Sequence, residues 1–219
     1  MFNKATRILI LSIVFAAIPP AAQTEETFSA AGAKNILFVL DCTSSMRYKA
    51  SSKQKKIDIA KELITNVVNS VPPDTKFGLR IFGSGKGSDN GCTDTKLLVP
   101  LQAGNGKTIS TSLKKIAPAG GATPLVYTLR QAYGDDVQSV DGRTIIILIT
   151  DGEDTCGAEF GRDLKRWITS SKTSLVIATI ELLDRLAAKD MESTAQAGHG
   201  KYYDEKSFDS LIQDIKRIN

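Results

Sequence analysis

Two stretches of this chain end in the same way. Ile36 to Leu40 is an unbroken apolar run that stops at Asp41, and the run TIIILIT, Thr144 to Thr150, stops at Asp151. Runs of this length suit strands buried on both faces of a parallel sheet. Such a strand leaves its last residue at the sheet's carboxyl edge, where ligands of open α/β sheets bind. Two hydroxyls, Thr43 and Ser45, follow Asp41 on alternate residues. The group is hard and oxygen-only, which suits Mg²⁺, Ca²⁺ or Mn²⁺ rather than zinc. With the two strands as neighbours, Asp41 and Asp151 face one another, and their repulsion calls for one proton or one cation.

The rest of the chain supplies the other layers. Ile57, Ala60, Leu63, Ile64, Val67, Val68 and Val71 follow helical spacing, and Pro72-Pro73 stops that helix. Phe77 to Phe82 and Lys96 to Pro100 read as the second and third strands, and Lys107 to Ile116 as a short helix. Thr123 as cap and Pro124 as first residue open the next helix, which Gly134 is placed to end. Phe160, Leu164, Trp167 and Ile168 form a further helical stripe, with Trp167 in the core. Ser174 to Ile180 reads as a strand. Leu183, Leu186, Ala187, Met191 and Ala195 mark a helix, and Gly200 to Tyr203 a short last strand. Ser207 caps a final helix. The expected fold is α/β: a Rossmann-like, doubly wound, mostly parallel six-stranded sheet with one antiparallel edge strand and helices on both faces. It forms one domain over residues 35–219.

The first segment reads as a signal peptide. MFNKATR is basic, ILILSIVFAAI is apolar and PPAA supplies small residues. Its apolar part is shorter than the ~20 residues that span a bilayer. Removal of residues 1–22 leaves a polar tail, 23–34, and no integral membrane span. Its two cations, Lys4 and Arg7, take the formal charge of +4 down to +2, too little to indicate nucleic acid. Export to the periplasm or beyond exposes Cys42, Cys92 and Cys156 to oxidation, which allows one disulfide and one spare thiol. Lys53, Lys55 and Lys56 read as a solvated loop and helix start. The loop GSGKGSDNGCTDT lacks the G-x-x-x-x-G-K-[ST] pattern and precedes a strand, so it is no phosphate cradle.

The segments DCTSS, GGATPL and TDGED, in that order, resemble the von Willebrand factor A domain and its metal-ion-dependent adhesion site. The resemblance covers about residues 35–219 and matches a bacterial exported branch of the family. It implies that Asp41, Thr43, Ser45, Thr123 and Asp151 hold the metal, Mg²⁺ or else Ca²⁺ or Mn²⁺. It also implies an open coordination position, which a partner protein fills with an acidic side chain. Thr43 stands where the pattern has serine, and its extra methyl stiffens the side chain. Cys92 and Cys156 should both sit above the same sheet edge and pair there, leaving Cys42 spare with its side chain turned from the ion. The chain reads as a binding module and not an enzyme, because His199 has no G-x-S-x-G turn beside it and no P-loop is present. Two alternatives remain: a metal-independent scaffold subunit of an envelope complex, and a Mg²⁺-dependent hydrolase.

Overall fold

The computed structural model describes residues 28–85, 91–157, 160–168 and 172–218. The signal segment therefore lies outside the described residues, as do residues 23–27 of the tail, residues 86–90 of the glycine-rich loop and the side chain of Trp167. Six strands form one sheet: β1 (Ala33–Asp41), β2 (Lys76–Phe82), β3 (Thr95–Ala103), β4 (Arg143–Thr150), β5 (Thr173–Thr179) and β6 (Tyr202–Asp204). Their spatial order is β3-β2-β1-β4-β5-β6. All neighbours are parallel except β2 and β3. This is the doubly wound arrangement with one antiparallel edge that the sequence indicates.

Side-chain alternation along the central strands divides the core between two faces. Ile36, Phe38 and Leu40 join one cluster with Ile145, Ile147 and Ile149. That face is covered by α1 (Lys56–Ser70), α2 (Gly106–Lys115) and α6 (Phe208–Ile215). Leu37 and Val39 join the other cluster with Ile146 and Leu148. Here the cover is α3 (Leu125–Gln131), α4 (Phe160–Ile168) and α5 (Arg185–Ala197). Unbroken apolar runs are what a two-sided core demands of β1 and β4.

Several local expectations change. The described end of the tail is packed: Phe28 lies against the core, Ala30 is fully buried, and β1 begins already at Ala33. Gly134 does not end its helix, because the chain continues as a π-helical segment over Ala132–Val137. That continuation carries Asp136 to Arg80 of β2, whose guanidinium grips both carboxylate oxygens at 2.6 and 2.8 Å. Ser207 makes no cap to α6, and its hydroxyl bonds Asp204 instead. Leu183 and Leu186 are 87% and 80% exposed, so the apolar stripe of α5 starts at Ala187. No helix among the described residues is long and apolar enough to cross a membrane.

Candidate metal centre

β1 and β4 pair directly, with Leu40 opposite Ile149, so their last residues meet at one point of the carboxyl edge. The strand order reverses there, since β2 leaves β1 on one side and β4 on the other. Asp41 is fully buried. One of its oxygens accepts the Thr43 backbone N–H at 2.8 Å, and the other accepts the Thr150 hydroxyl at 2.6 Å. Burial pushes the Asp41 carboxyl up to about 6, the hydrogen bonds from Thr150 and Thr43 hold it back, and the charge of Asp151 adds to the rise.

From Asp41 the polar chain runs through the first loop. Thr43 and Ser45 hydroxyls lie 3.0 Å apart, and Ser45 donates to Asp151 Oδ1 at 2.7 Å. A serine hydroxyl carries one proton, so the bond between the two hydroxyls must run from Thr43 to Ser45. The other Asp151 oxygen accepts from Lys56 Nζ at 2.9 Å. Lys56 is therefore not part of a solvated helix start: it points inward from the first residue of α1 to the sheet edge. Glu181 Oε2 stands 4.0 Å from the same ammonium. Its other oxygen accepts the Ser51 N–H at 2.7 Å and the Ser51 hydroxyl. These bonds hold the Glu181 carboxyl below its ordinary range.

Thr123 reaches the region by a different route. It caps nothing; Pro124 precedes α3 and no side-chain cap is made. The Thr123 N–H donates to the Thr155 hydroxyl at 2.7 Å, and its carbonyl accepts the Thr155 N–H at 3.1 Å. Asp154 adds bonds to the N–H groups of Val126 and Cys156. GGATPL and TDGEDTC are thus joined side by side, and the hydroxyl of Thr123 makes no hydrogen bond to Asp41, Thr43, Ser45 or Asp151. A disulfide joins Cys92 to Cys156. Cys42 is a buried free thiol with its sulfur 3.8 Å from the Leu40 carbonyl. The extra methyl of Thr43 lies over Gly83: a Cβ there would stand 2.3 Å from Thr43 Cγ2, at a φ of +64°. Glycine at 83 is what makes room for threonine at 43.

A family model of the von Willebrand factor type A domain matches residues 35–217. The chain belongs to this family. It is 29% identical over 185 residues to the uncharacterized protein YwmD of Bacillus subtilis (strain 168), covering 82% of each chain. Its fold is similar to the conserved hypothetical protein BatB from Bacteroides thetaiotaomicron: TM-score 0.65, 18% identity, 84% of this chain and 98% of that one. It is also similar to proximal thread matrix protein 1 from the mussel byssus, solved with a zinc-occupied MIDAS motif (the metal-ion-dependent adhesion site): TM-score 0.63, 15% identity, 88% of this chain and 47% of that one.

The donor set of this von Willebrand factor type A domain fits a hard divalent ion. It combines two carboxylates with neutral hydroxyls, and Asp41 is a buried carboxylate that no cation among the described residues touches. Among the described residues no three His, Cys, Asp or Glu side chains gather as a metal cluster. The sequence reading missed Lys56, Thr150 and Glu181. Thr150 had a signal in its position just before Asp151. Lys56 and Glu181 had none, because Lys56 meets Asp151, and Glu181 meets Lys56, only through the path of the chain in space.

Proposed function

We propose that this chain is an exported von Willebrand factor type A domain that captures a protein partner through a divalent cation. Asp41, Thr43, Ser45, Thr123 and Asp151 hold the ion at a metal-ion-dependent adhesion site, with Mg²⁺ as the native ion and Ca²⁺ or Mn²⁺ able to replace it. The partner supplies an acidic side chain to the open position. Residues 1–22 are the signal peptide and residues 35–219 the binding domain, which works in the periplasm or outside the cell.

The observation that carries this reading is the buried, uncompensated carboxylate of Asp41, linked through Thr43 and Ser45 to Asp151 on the neighbouring strand's end. A second carboxylate and three hydroxyls at one sheet edge are a binding set. His199 sits in the turn between α5 and β6, at the opposite edge of the sheet. The metal-occupied site of the mussel thread protein adds support by likeness of fold.

Titration calorimetry of Mg²⁺ into the wild type and into Asp41→Ala tests the ion: saturable heat in the first and none in the second is expected. Capture of a native partner that survives chelation would favour the scaffold alternative. Turnover of generic phosphoesters would favour the hydrolase.

A further inference from the structure

Lys56 places a positive charge inside a group that is to hold another. Its ammonium lies 2.9 Å from Asp151 Oδ2, and its side chain is 13% exposed. A fixed ammonium so close to the oxygens of a cation site opposes a second cation by simple Coulomb repulsion, and half-burial weakens the screening. Yet a second acceptor waits beside it. Glu181 Oε2 is 4.0 Å from the same nitrogen.

Glu181 is built to stay there. It holds a φ of +56°, a left-handed conformation that non-glycine residues adopt rarely. Backbone held in this way persists where surrounding contacts fix it. The Ser51 N–H and hydroxyl clamp its far oxygen and leave the near one turned to Lys56. Ser51 belongs to the short hairpin between Ser45 and α1, in which Lys49 and Lys55 pair. Lysine's flexible four-carbon stem lets the ammonium move between two acceptors at this separation.

Within the proposed reading of the site as a cation site, we propose that Lys56 is an internal competitor for the metal and Glu181 its release partner. Without an ion, Lys56 neutralises Asp151. With one, Lys56 moves to Glu181 and frees Asp151 Oδ2. The pair sets the ion concentration at which the site fills, and it ties filling of the site to the 48–55 hairpin through Ser51.

The test uses Mg²⁺ alone, titrated calorimetrically into the full domain and into Lys56→Met, Glu181→Gln and the double variant. Lys56→Met is expected to bind about tenfold more tightly, the scale of removing a nearby like charge at a half-buried site. Glu181→Gln is expected to weaken binding severalfold in the wild type and to change nothing once Lys56 is Met. An affinity unchanged or weakened in a folded Lys56→Met protein overturns the proposal. So does an equal effect of Glu181→Gln in both backgrounds, which would mean that Glu181 acts by its own charge. Should Lys56→Met fail to fold, loss of the Glu181→Gln effect in Lys56→Gln serves the same comparison. Binding by Lys56→Met but not by the wild type keeps this inference and removes the proposed function. Binding by neither, with Mg²⁺ or Mn²⁺, overturns both.

Discussion

Asp41 and Asp136 are both buried carboxylates, and the fold treats them in opposite ways. Asp136 is closed by Arg80, which donates from Nε at 2.6 Å and from a terminal nitrogen at 2.8 Å, with Thr95 taking a third bond at 3.1 Å. Asp41 is held by neutral groups, the Thr150 hydroxyl and Thr43. The bidentate pair fills the needs of its charge and leaves nothing for a ligand. At the sheet edge the charge is left short of a counterion, and its carboxyl is pushed up to about 6. One carboxylate holds β2 to the end of the α3 helix; the other is held ready by neutral groups. The contrast separates a charge closed by a protein cation from a charge held by neutral groups.

The largest break in this comparison is Arg80→Met. It leaves Asp136 buried without a partner, so unfolding stability should fall by about 3–5 kcal/mol in urea titration. A fall below about 1 kcal/mol would mean that the pair is dispensable and the contrast false.

Next comes the covalent link beside the open site. Cys92 and Cys156 are 64 residues apart in sequence, and their bond joins the loop after β2 to the loop after β4. Replacing both with serine should lower stability by about 2–4 kcal/mol, read by the same denaturation. The Arg80 site, which lies outside these loops, should keep its structure, whereas Mg²⁺ binding should weaken.

A third measurement sharpens the comparison at Asp41 itself. Mg²⁺ at a hundredfold excess over its dissociation constant should stabilise the wild type by about 2.7 kcal/mol. Asp41→Asn should lose that gain entirely. Its ion-free stability should stay within about 1 kcal/mol of the wild type, because relief of a buried charge offsets one lost acceptor. A large loss of ion-free stability would place Asp41 with Asp136 as a packing residue.

The smallest effect concerns a third carboxylate, Asp214, between the two extremes. Partial burial pushes it upward, but the Tyr203 hydroxyl at 2.6 Å and the Lys201 ammonium at 3.2 Å carry it below its ordinary range. A lowered folded-state value means that the unfolded chain takes up the proton first. The contribution is therefore complete above the unfolded value of 3.8 and is lost as pH falls through the folded one. Melting temperatures at pH 7 and pH 3 should differ less in Asp214→Asn than in the wild type.

Much of the fold was legible from local pattern. The runs ending at Asp41 and Asp151 announce buried parallel strands, and the apolar spacing of Ile57 to Val67 announces α1. The failures share a cause. Gly134 looks like a helix stop, yet the pull of Arg80 on Asp136 carries the helix past it. Leu183 and Leu186 look like core because residue type says nothing of where a loop turns toward solvent. Thr123 looks like a cap, but its backbone is taken by Thr155.

The sequence alone determined the layers, the burial of the central strands and the gathering of Asp41, Thr43 and Ser45, since these follow from periodicity within a few residues. Tertiary structure alone decided the charge balance of the site. Lys56 meets Asp151 across 95 positions and Thr150 meets Asp41 across 109, so each contact depends on strand order and loop path. Electrostatic energy varies with distance in space, and separation along the chain does not fix that distance.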